Sequence, residues 1–405
     1  IGEMHAKKIT NLYDLAMKTG APVIGLIDSA GLRLQEATDA LNAFGEIYMK
    51  QTLASGVIPQ ITAVFGTCGG GLALVPALTD FTFMEGKKAK LFVNAPNALA
   101  GNEISKCDTS DAAFQSEEAG LVDFVGEEAE ILGQIRNLVC MLPSNNEDDN
   151  SYVECADDLN RADASMAACV GDSSIALSTI ADDHLFVEVK AAYAKEMVTG
   201  FMKLNGMTVG AVANRSEIYD ENGEKTASFD AALSPAGCDK AAGFVSFCDA
   251  FNIPVLTLTN VNGFTADKCS EKKIAKAAAR LTYAFANATV PKVNVVTGMA
   301  YGSAYVVMNS KALGADITYC WPDAKIGTMD ARLAAKIICD GQGADAVNEC
   351  AKEYEALQTS AASAARRGYV DTIIEPADTR KYVIGAFEML FTKREDRPAK
   401  KHGTV

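Results

Sequence analysis

Two glycine-containing loops carry the residues of this sequence that are best suited to chemistry on a carbonyl group. The first loop, Cys68-Gly69-Gly70-Gly71, lies between a predicted buried strand and an apolar helix. Backbone N–H groups at such a junction point outward and the helix amino terminus adds partial positive charge, so the loop can hold an oxyanion. Taken alone, the same loop is also typical of a tight strand-to-helix turn, where Gly is the usual residue. It matches neither of the common glycine-rich phosphate-binding patterns.

The second loop, Tyr301-Gly302-Ser303-Ala304-Tyr305, follows another predicted strand and has Ser303 where the first loop has Gly71. Two oxyanion-type loops in one chain indicate that two carbonyl groups are handled together. That unusual requirement favours a catalytic role over a purely structural one for both loops.

A basic side chain follows the first predicted strand. Arg33 lies in the segment Asp28-Ser29-Ala30-Gly31-Leu32-Arg33-Leu34-Gln35-Glu36 and could hold a phosphate or a carboxylate in a fork geometry. The plain alternative is a surface ion pair between Arg33 and either Asp28 or Glu36. Such a pair contributes little to the stability of the fold.

The composition limits the classes of function. A formal net charge of −15 argues against binding to nucleic acid, because an acidic surface repels phosphates. The three His are far apart in sequence, which argues against a His-rich metal site or a His-based triad. Eleven Cys without a Cys-x-x-Cys pair indicate a reducing cytoplasm. No apolar run has the length of a membrane span, and no signal peptide is evident. Because the chain opens on Ile1 in a helical pattern, we expect a processed or truncated start.

Strand and helix patterns alternate along the chain, which predicts an α/β fold with a mainly parallel sheet. The predicted helices and strands of the first half are a helix over 3–18 stopped by Gly20, strands at 23–27, 61–65 and 91–93, and helices at 38–55, from Leu72, and over 133–142.

An internal repeat is the most informative feature of the organisation. The same separation of 232 residues joins Pro22 to Pro254 and Pro59 to Pro291. It also joins three pairs of glycines, which are Gly31 with Gly263, Gly66 with Gly298, and Gly70 with Gly302. The chain is therefore predicted to hold two copies of one unit, each with a glycine-containing loop after two buried strands.

Three segments follow from the repeat and the composition. We expect a first domain over 1–142, a linker over 143–174 that is rich in Asn, Asp, Glu and Ser, and a second domain over 175–405. Within the second domain, Met197 to Ala213 is typical of two strands that turn at Asn205-Gly206.

These residues resemble the acyl-CoA carboxyltransferase family over nearly the whole chain, with the strongest likeness to the branch of methylmalonyl-CoA decarboxylase alpha subunits and propionyl-CoA carboxylase beta subunits. The matching segments are Gly2-Glu3, Asp28-Ser29, Gly31, Arg33, Gln35-Glu36, 54–60, Gly70-Gly71, 247–254, 288–292, 308–311, 314–316, Trp321-Pro322, 365–371 and 393–395.

The resemblance implies two crotonase-like β-β-α superhelix halves in tandem, the first for acyl-CoA and incomplete at its start, the second for biotin. It assigns the oxyanion hole for the thioester to Gly70 and Gly71, and the hole for the biotin carbonyl to Ser303 and Ala304, where the family usually has Gly at position 303. The substrate-binding residues that it implies are Ala30, Gly31, Arg33, Gly302 and Val306.

The partners follow from the same resemblance. Biotin arrives on a separate biotin carboxyl carrier protein, the second substrate is a coenzyme A thioester, and no metal takes part in the transfer. Further partners are a biotin carboxylase or membrane decarboxylase subunits, and the chain itself forms a homo-oligomer between a dimer and a hexamer. We expect a cytoplasmic location. The alternative is peripheral attachment to a membrane through a pump complex.

The expected function is carboxyl transfer between carrier-bound biotin and a short-chain acyl-CoA, with propionyl-CoA and methylmalonyl-CoA as the expected pair. Two alternatives stay open. A crotonase-type hydratase or isomerase would need carboxylates at the thioester, for which Glu103 and Glu117 are the candidates. The other alternative is a non-catalytic subunit that scaffolds a sodium-pumping decarboxylase complex.

Overall fold

The computed structural model describes residues 1–148, 153–220 and 222–400, which divide into two units of alternating strands and helices. The first unit comprises Ile1–Asn150 with Val189–Ala194, and the second comprises Ser151–Glu188 with Lys195–Val405.

The first unit is built around a five-stranded sheet in which β1, β2, β3 and β5 lie side by side and β4 extends the pairing of β2. Every strand pair in it is parallel. Its elements are α1 Glu3–Thr19, β1 Val23–Ser29, α2 Ala37–Ala54, β2 Gln60–Gly69, α3 Leu74–Ala77, β3 Phe81–Glu85, β4 Lys90–Phe92, β5 Phe124–Gly126 and α4 Glu128–Met141.

The second unit holds a larger, eight-stranded sheet. Its elements are α5 Ser173–Ile180, β6 Phe186–Val189, β7 Met197–Leu204, β8 Met207–Asn214, β9 Glu217–Tyr219, β10 Lys225–Ser228, β11 Ala232–Leu233, α6 Pro235–Ala250, β12 Val255–Val261, β13 Gly263–Phe264, α7 Lys268–Glu271, α8 Ile274–Asn287, β14 Lys292–Tyr301, α9 Gly302–Val307, β15 Ile317–Cys320, β16 Lys325–Gly327, α10 Ala331–Ile338, α11 Ala344–Tyr354, α12 Ala361–Arg366, β17 Thr372–Ile373 and α13 Thr379–Leu390. The strands run in the order β17-β15-β14-β12-β8-β7-β6, with β16 paired to β14.

The predicted elements are confirmed with small changes at their ends. Helix α1 ends at Gly20 in the left-handed conformation, and β7 and β8 form an antiparallel pair about the predicted turn at Asn205-Gly206. The helix predicted from Leu72 instead starts as a 3-10 helix over Gly70–Ala73 and continues into the short α3. Cys68 and Cys248 are fully buried, as their apolar surroundings predict.

The internal repeat is confirmed at the level of single residues. Strands β1 and β12 begin and end at positions 232 apart, and so do β2 and β14. Both parallel pairs also lose register at corresponding points, where Ser29 faces Cys68 and Val261 faces Ala300. The two units therefore share the backbone course that leads into each glycine-containing loop.

The surroundings of the repeated strands differ. Strand β12 lies between β8 and β14 and is buried along its whole length. Its counterpart β1 is the edge strand of the described first sheet, and Ile24 and Leu26 are 46% and 58% exposed.

A polar side chain holds the irregular point of each strand pair. In the first unit Asp28 Oδ1 accepts a hydrogen bond from the backbone N–H of Thr67, at 3.3 Å. In the second unit Asn260 Oδ1 accepts from Met299 N–H at 3.0 Å, while Asn260 Nδ2 donates to the carbonyl of Val170. These contacts fix the strand three residues before Gly70 and three residues before Gly302.

Gly66 makes room for Asp28, and Gly298 makes room for Asn260. Replacing each glycine by Ala is therefore expected to change the free energy of unfolding, but by different amounts. A Cβ on Gly298 would lie 2.7 Å from Asn260 Oδ1 and 3.1 Å from Val170 Cγ1, and Asn260 is held by several hydrogen bonds. The three atoms nearest to a Cβ on Gly66 would all belong to the carboxyl group of Asp28, an exposed side chain that can rotate into solvent. We expect Gly298→Ala to lower the free energy of unfolding by about 1–3 kcal/mol, and Gly66→Ala by less.

Urea denaturation of the two variants measures this difference. Asp28→Ala provides the control, because in its background Gly66→Ala should add almost no loss. If Gly298→Ala and Gly66→Ala lowered the free energy of unfolding by the same amount, the proposed difference between the held Asn260 and the movable Asp28 would be wrong.

The segment predicted as a linker contains folded structure near its carboxyl end. Residues Ala164–Val170 form a 3-10 helix, and Met166 is buried among the core residues of the second unit. Asp163 caps this helix by accepting a hydrogen bond from Ser165 N–H. Since residues 149–152 lie outside the described part of the chain, the domain bounds at 142 and 175 stay a prediction.

Candidate functional site

The first loop presents open backbone donors at the end of β2. Gly70 has φ of +63°, a conformation that favours Gly, and it starts the 3-10 helix Gly70–Ala73. The N–H groups in the first turn of such a helix have no partner within it, so those of Gly70 and Gly71 are available to a ligand. A Cβ built on Gly70 would find no atom within 4 Å, which shows open space beside the loop.

Side chains from neighbouring elements hold the first loop in place. The hydroxyl of Tyr48, on α2, donates a hydrogen bond to the carbonyl of Gly71. Cys68 Sγ lies 3.5 Å from the carbonyl of Leu72 and is buried below the loop. Gly31 packs closely on the carbonyl of Gly69, where a Cβ on Gly31 would lie 3.2 Å away. The loop is therefore a supported structure rather than an isolated turn.

The second loop repeats this geometry in the second unit. Gly302 has φ of +62° and begins α9 directly after β14. Ser303 is exposed, whereas Ala304 is buried. Ser303 has no positive φ, so its side chain introduces no backbone strain. The N–H groups of Ser303 and Ala304 lie in the first turn of α9 and lack an intrahelical partner.

A cavity of about 500 Å³ opens beside the second loop. Apolar side chains form much of its wall, together with Asn262, the second loop itself and the cap of α10, Asp330. These apolar lining residues are Phe264, Met299, Met329 and Leu333. Open backbone donors next to apolar walls suit a small, mainly apolar ring that carries a carbonyl group.

Titratable side chains close to the loops are held in their neutral forms. Burial raises the pKa of the Cys68 thiol to about 12, and burial likewise raises the pKa of Tyr305 to about 12. Burial also raises the pKa of the Tyr48 hydroxyl. These groups are uncharged near neutral pH, so the donors that the loops can offer to an anion are mainly their backbone N–H groups.

The predicted site residues fall into separate groups. Gly70 and Gly71 lie together in the first unit, while Gly302, Ser303 and Ala304 lie together along the cavity of the second. Val306, also on α9, is 39% exposed but is not part of that cavity wall.

The predicted residues of the segment after β1 have different surroundings. Gly31 is buried against the first loop and Ala30 is exposed beside it in sequence. Arg33 forms an ion pair with Glu36 at 3.1 Å, which is the plain alternative that the sequence left open. Its guanidinium remains about half exposed and can still reach a ligand.

The candidates for hydratase chemistry lie in exposed places. Glu103 is exposed and forms a loose pair with Lys106 at 3.7 Å. Glu117 is exposed in the single-turn π-helix Phe114–Glu118. Neither carboxylate has a hydrogen bond to the first loop within the described residues.

Sequence reasoning missed Tyr48, Phe264 and Asp330. Tyr48 lies 23 residues before the Gly71 carbonyl that it contacts, and only the packing of α2 on the loop reveals it. A signal for Phe264 did exist, because it follows Gly263, the repeat partner of Gly31.

Two kinds of feature are absent from the described part of the chain. Across residues 1–148, 153–220 and 222–400, no helix is both long and apolar enough to cross a membrane. The same described part contains no group of three or more His, Cys, Asp and Glu side chains placed to hold a metal ion.

Comparison with known proteins gives a consistent result. A family model described as the carboxyl transferase domain matches residues 1–405. The chain is 38% identical over 429 residues to the methylmalonyl-CoA decarboxylase subunit alpha of Propionigenium modestum, covering all of this chain and 80% of that protein. It is 40% identical over 435 residues to the propionyl-CoA carboxylase beta chain of Saccharopolyspora erythraea, covering all of this chain and 78% of the relative.

Solved structures agree with the sequence comparison. The transcarboxylase 12S hexamer, crystallised with hydrolysed methylmalonyl-coenzyme A, superposes with a TM-score of 0.91 and 36% identity. It covers all of this chain and 79% of that one. A single-chain, multi-domain long-chain acyl-CoA carboxylase, at 19% identity and a TM-score of 0.75, shares the fold over 95% of this chain and 38% of its own length. The predicted crotonase-type α/β fold is thereby confirmed.

Proposed function

Because this chain belongs to the carboxyl transferase domain family, as a carboxyltransferase of the biotin-dependent acyl-CoA carboxylases and decarboxylases, we propose that it moves a carboxyl group between biotin on a separate carrier protein and a short-chain acyl-CoA. The proposed substrate pair is methylmalonyl-CoA and propionyl-CoA, which the names of the relatives contain.

The repeated loop geometry is the observation that carries the proposal. Two loops with φ of +63° at Gly70 and +62° at Gly302 each place N–H groups that lack an intrahelical partner at a helix start. Transfer of a carboxyl group between a thioester and a urea-type ring develops negative charge on two carbonyl oxygens. Two backbone oxyanion sites in one chain match that demand.

The cavity beside Ser303 fits the ring system of biotin. Its apolar walls can contact the ring, and the first-turn N–H groups of α9 can donate to the ring carbonyl. Bound biotin supplies the carboxyl group and a ring nitrogen able to exchange a proton with the α-carbon of the acyl-CoA. The chain then needs no side-chain base, in agreement with the neutral Cys68 and Tyr305 near its loops.

Each loop has a defined task in this proposal. The N–H groups of Gly70 and Gly71 hold the thioester oxygen while the enolate of the acyl-CoA carries negative charge on it, and those of Ser303 and Ala304 hold the carbonyl oxygen of biotin. Ala30, Gly31, Arg33, Gly302 and Val306 are proposed to contact the substrates. Both tasks are electrostatic stabilisation by donors that are already in position, which needs little reorganisation during the reaction.

Assembly and location complete the proposal. Transcarboxylase 12S is a hexamer in its crystal structure. We propose that this chain also forms a homo-oligomer, in which the first unit of one subunit and the second unit of another complete each active site. The partners would be a biotin carboxyl carrier protein and either a biotin carboxylase or membrane decarboxylase subunits, with the reaction in the cytoplasm.

Exchange of label tests the function directly. We expect the protein to move labelled carboxyl from methylmalonyl-CoA to a biotin carrier, and to do so only when the carrier holds biotin. The unbiotinylated carrier is the matched control. Hydration of crotonyl-CoA without any carrier would instead establish a hydratase. Absence of both activities in the folded protein would leave a scaffold and overturn the proposal.

A further inference from the structure

A group of lysines on α7, on α8 and on the connection between these helices stands out in an acidic protein. The chain has 37 basic and 52 acidic side chains, yet residues 267–280 contain five cations and only two carboxylates. We call Lys268, Lys272, Lys273 and Lys276 the basic face.

All four lysines of the basic face are exposed. Helix α8 buries Ile274, Ala277 and Leu281, a spacing that turns one side of the helix to the core. The lysines occupy positions outside that buried stripe. No ion pair among the described residues holds Lys268, Lys272 or Lys273. The fifth cation, Arg280, is bound by both carboxylate oxygens of Asp239.

The helix that follows gains no stability from the charges of Lys272 and Lys273. Lys272 and Lys273 directly precede the 14-residue helix α8, and Lys276 lies in its first turn. The partial positive charge of a helix amino terminus makes cations unfavourable there. The basic face therefore weakens the helix that carries it.

The repeat provides an internal comparison. The positions 232 residues before Lys268, Lys272, Lys273 and Lys276 hold Glu36, Ala40, Leu41 and Phe44. The unit with the Gly70 loop thus has no cation at any corresponding position. At these four positions, positive charge occurs only in the unit that contains Ser303.

The basic face belongs to elements that adjoin the cavity beside Ser303, although none of its lysines lines that cavity. Helix α7 begins soon after Phe264, which lines the cavity, and α8 packs against α9, the helix that starts at Gly302. A partner that delivers a group into the cavity can therefore contact these lysines at the same time.

We infer that the basic face docks an acidic surface of the carrier protein that presents biotin. This inference rests on the proposed function. A chain with net charge −15 repels an acidic partner over most of its surface, and a local positive region guides such a partner to one place. Charge pairing at the rim of an interface acts mainly on the rate of association and weakens as salt is added.

Charge reversal at adjacent lysines tests the docking. In Lys272→Glu/Lys273→Glu we expect the KM for the biotin carrier at low salt to rise about tenfold or more, with kcat changed little. The variant should also lose the decline of kcat/KM with rising salt that the unsubstituted protein shows. Carboxyl transfer from methylmalonyl-CoA to free biotin should stay within about twofold of the unsubstituted rate, because free biotin has no acidic surface.

Lys7→Glu/Lys8→Glu is the matched control. It reverses two adjacent, exposed charges on α1 and changes the net charge equally. A carrier KM that rises equally in both double variants would show a general charge effect and overturn the docking site. An unchanged carrier KM in Lys272→Glu/Lys273→Glu, with transfer to free biotin intact, would overturn the docking alone. If the unsubstituted protein transfers no carboxyl group to free biotin or carrier, the proposed function itself fails.

Discussion

Gly71→Val is expected to lower the rate of carboxyl transfer by about 100-fold or more, the loss that accompanies removal of one oxyanion donor. A Cβ at this position would lie 3.1 Å from the hydroxyl of Tyr48, and the two Cγ atoms of Val add further bulk. To accommodate them, the loop must separate from Tyr48 and lose the hydrogen bond to the Gly71 carbonyl. The N–H groups of Gly70 and Gly71 then point in a different direction. The kcat of labelled carboxyl transfer measures the effect.

Two controls separate the loop from general damage. Gly133→Val makes the same replacement on the exposed side of α4, where a Cβ would meet no atom within 4 Å, and should leave transfer nearly unchanged. Tyr48→Phe removes only one neutral hydrogen bond, so its loss should not exceed about tenfold. If Gly71→Val folds normally and turns over at nearly the original rate, the assignment of the first oxyanion hole must be withdrawn.

Ser303→Gly is expected to reduce carrier-dependent transfer by roughly 1.5–3 kcal/mol of transition-state stabilisation, the contribution of a hydrogen bond to a charged group. Ser303 is exposed at the start of α9 beside the cavity, where its hydroxyl can donate to the same oxygen as the backbone N–H groups. Its backbone is unstrained, so Gly gains nothing by relaxing the turn. The rate with biotinylated carrier at saturating acyl-CoA is the appropriate measurement.

Ser303→Ala distinguishes the hydroxyl from the Cβ. If the hydroxyl holds the anion, Ala and Gly should lower the rate by similar amounts. If Ser303 merely obstructs the approach to the backbone, Gly should raise the rate while Ala leaves it unchanged. Rates unaffected by both substitutions would mean that position 303 does not touch biotin.

The repeat explains how much of the fold was accessible from the sequence. Prolines and glycines at one fixed separation located β1, β2, β12 and β14, because such residues mark strand ends and tight turns. The separation of 232 residues between repeat partners holds only until one copy contains an insertion. Phe81 pairs with Ile61, whereas Ile317 pairs with Val293, so four additional residues separate the second pair.

Other parts of the site depend on contacts that no local pattern encodes. The approach of Tyr48 to Gly71 depends on how α2 packs. The cavity beside Ser303 brings together Phe264, Met299 and Leu333 from three separate elements. Glycine spacing revealed the two loops and pointed to Phe264 beside Gly263, but it contained no information on Met299 or Leu333.

The open edge of β1 has a consequence for the behaviour of the protein in solution. Within residues 1–148, 153–220 and 222–400, no strand pairs with the outer side of β1, and the apolar side chains of Ile24 and Leu26 are exposed on it. An exposed apolar edge is a template on which strands of other chains can aggregate. Strand β12 occupies the corresponding positions of the repeat but is enclosed between two neighbouring strands, which removes this hazard. When only residues 1–405 are produced, we therefore expect aggregation at high concentration to begin at the first unit, and charged substitutions along β1 to reduce it.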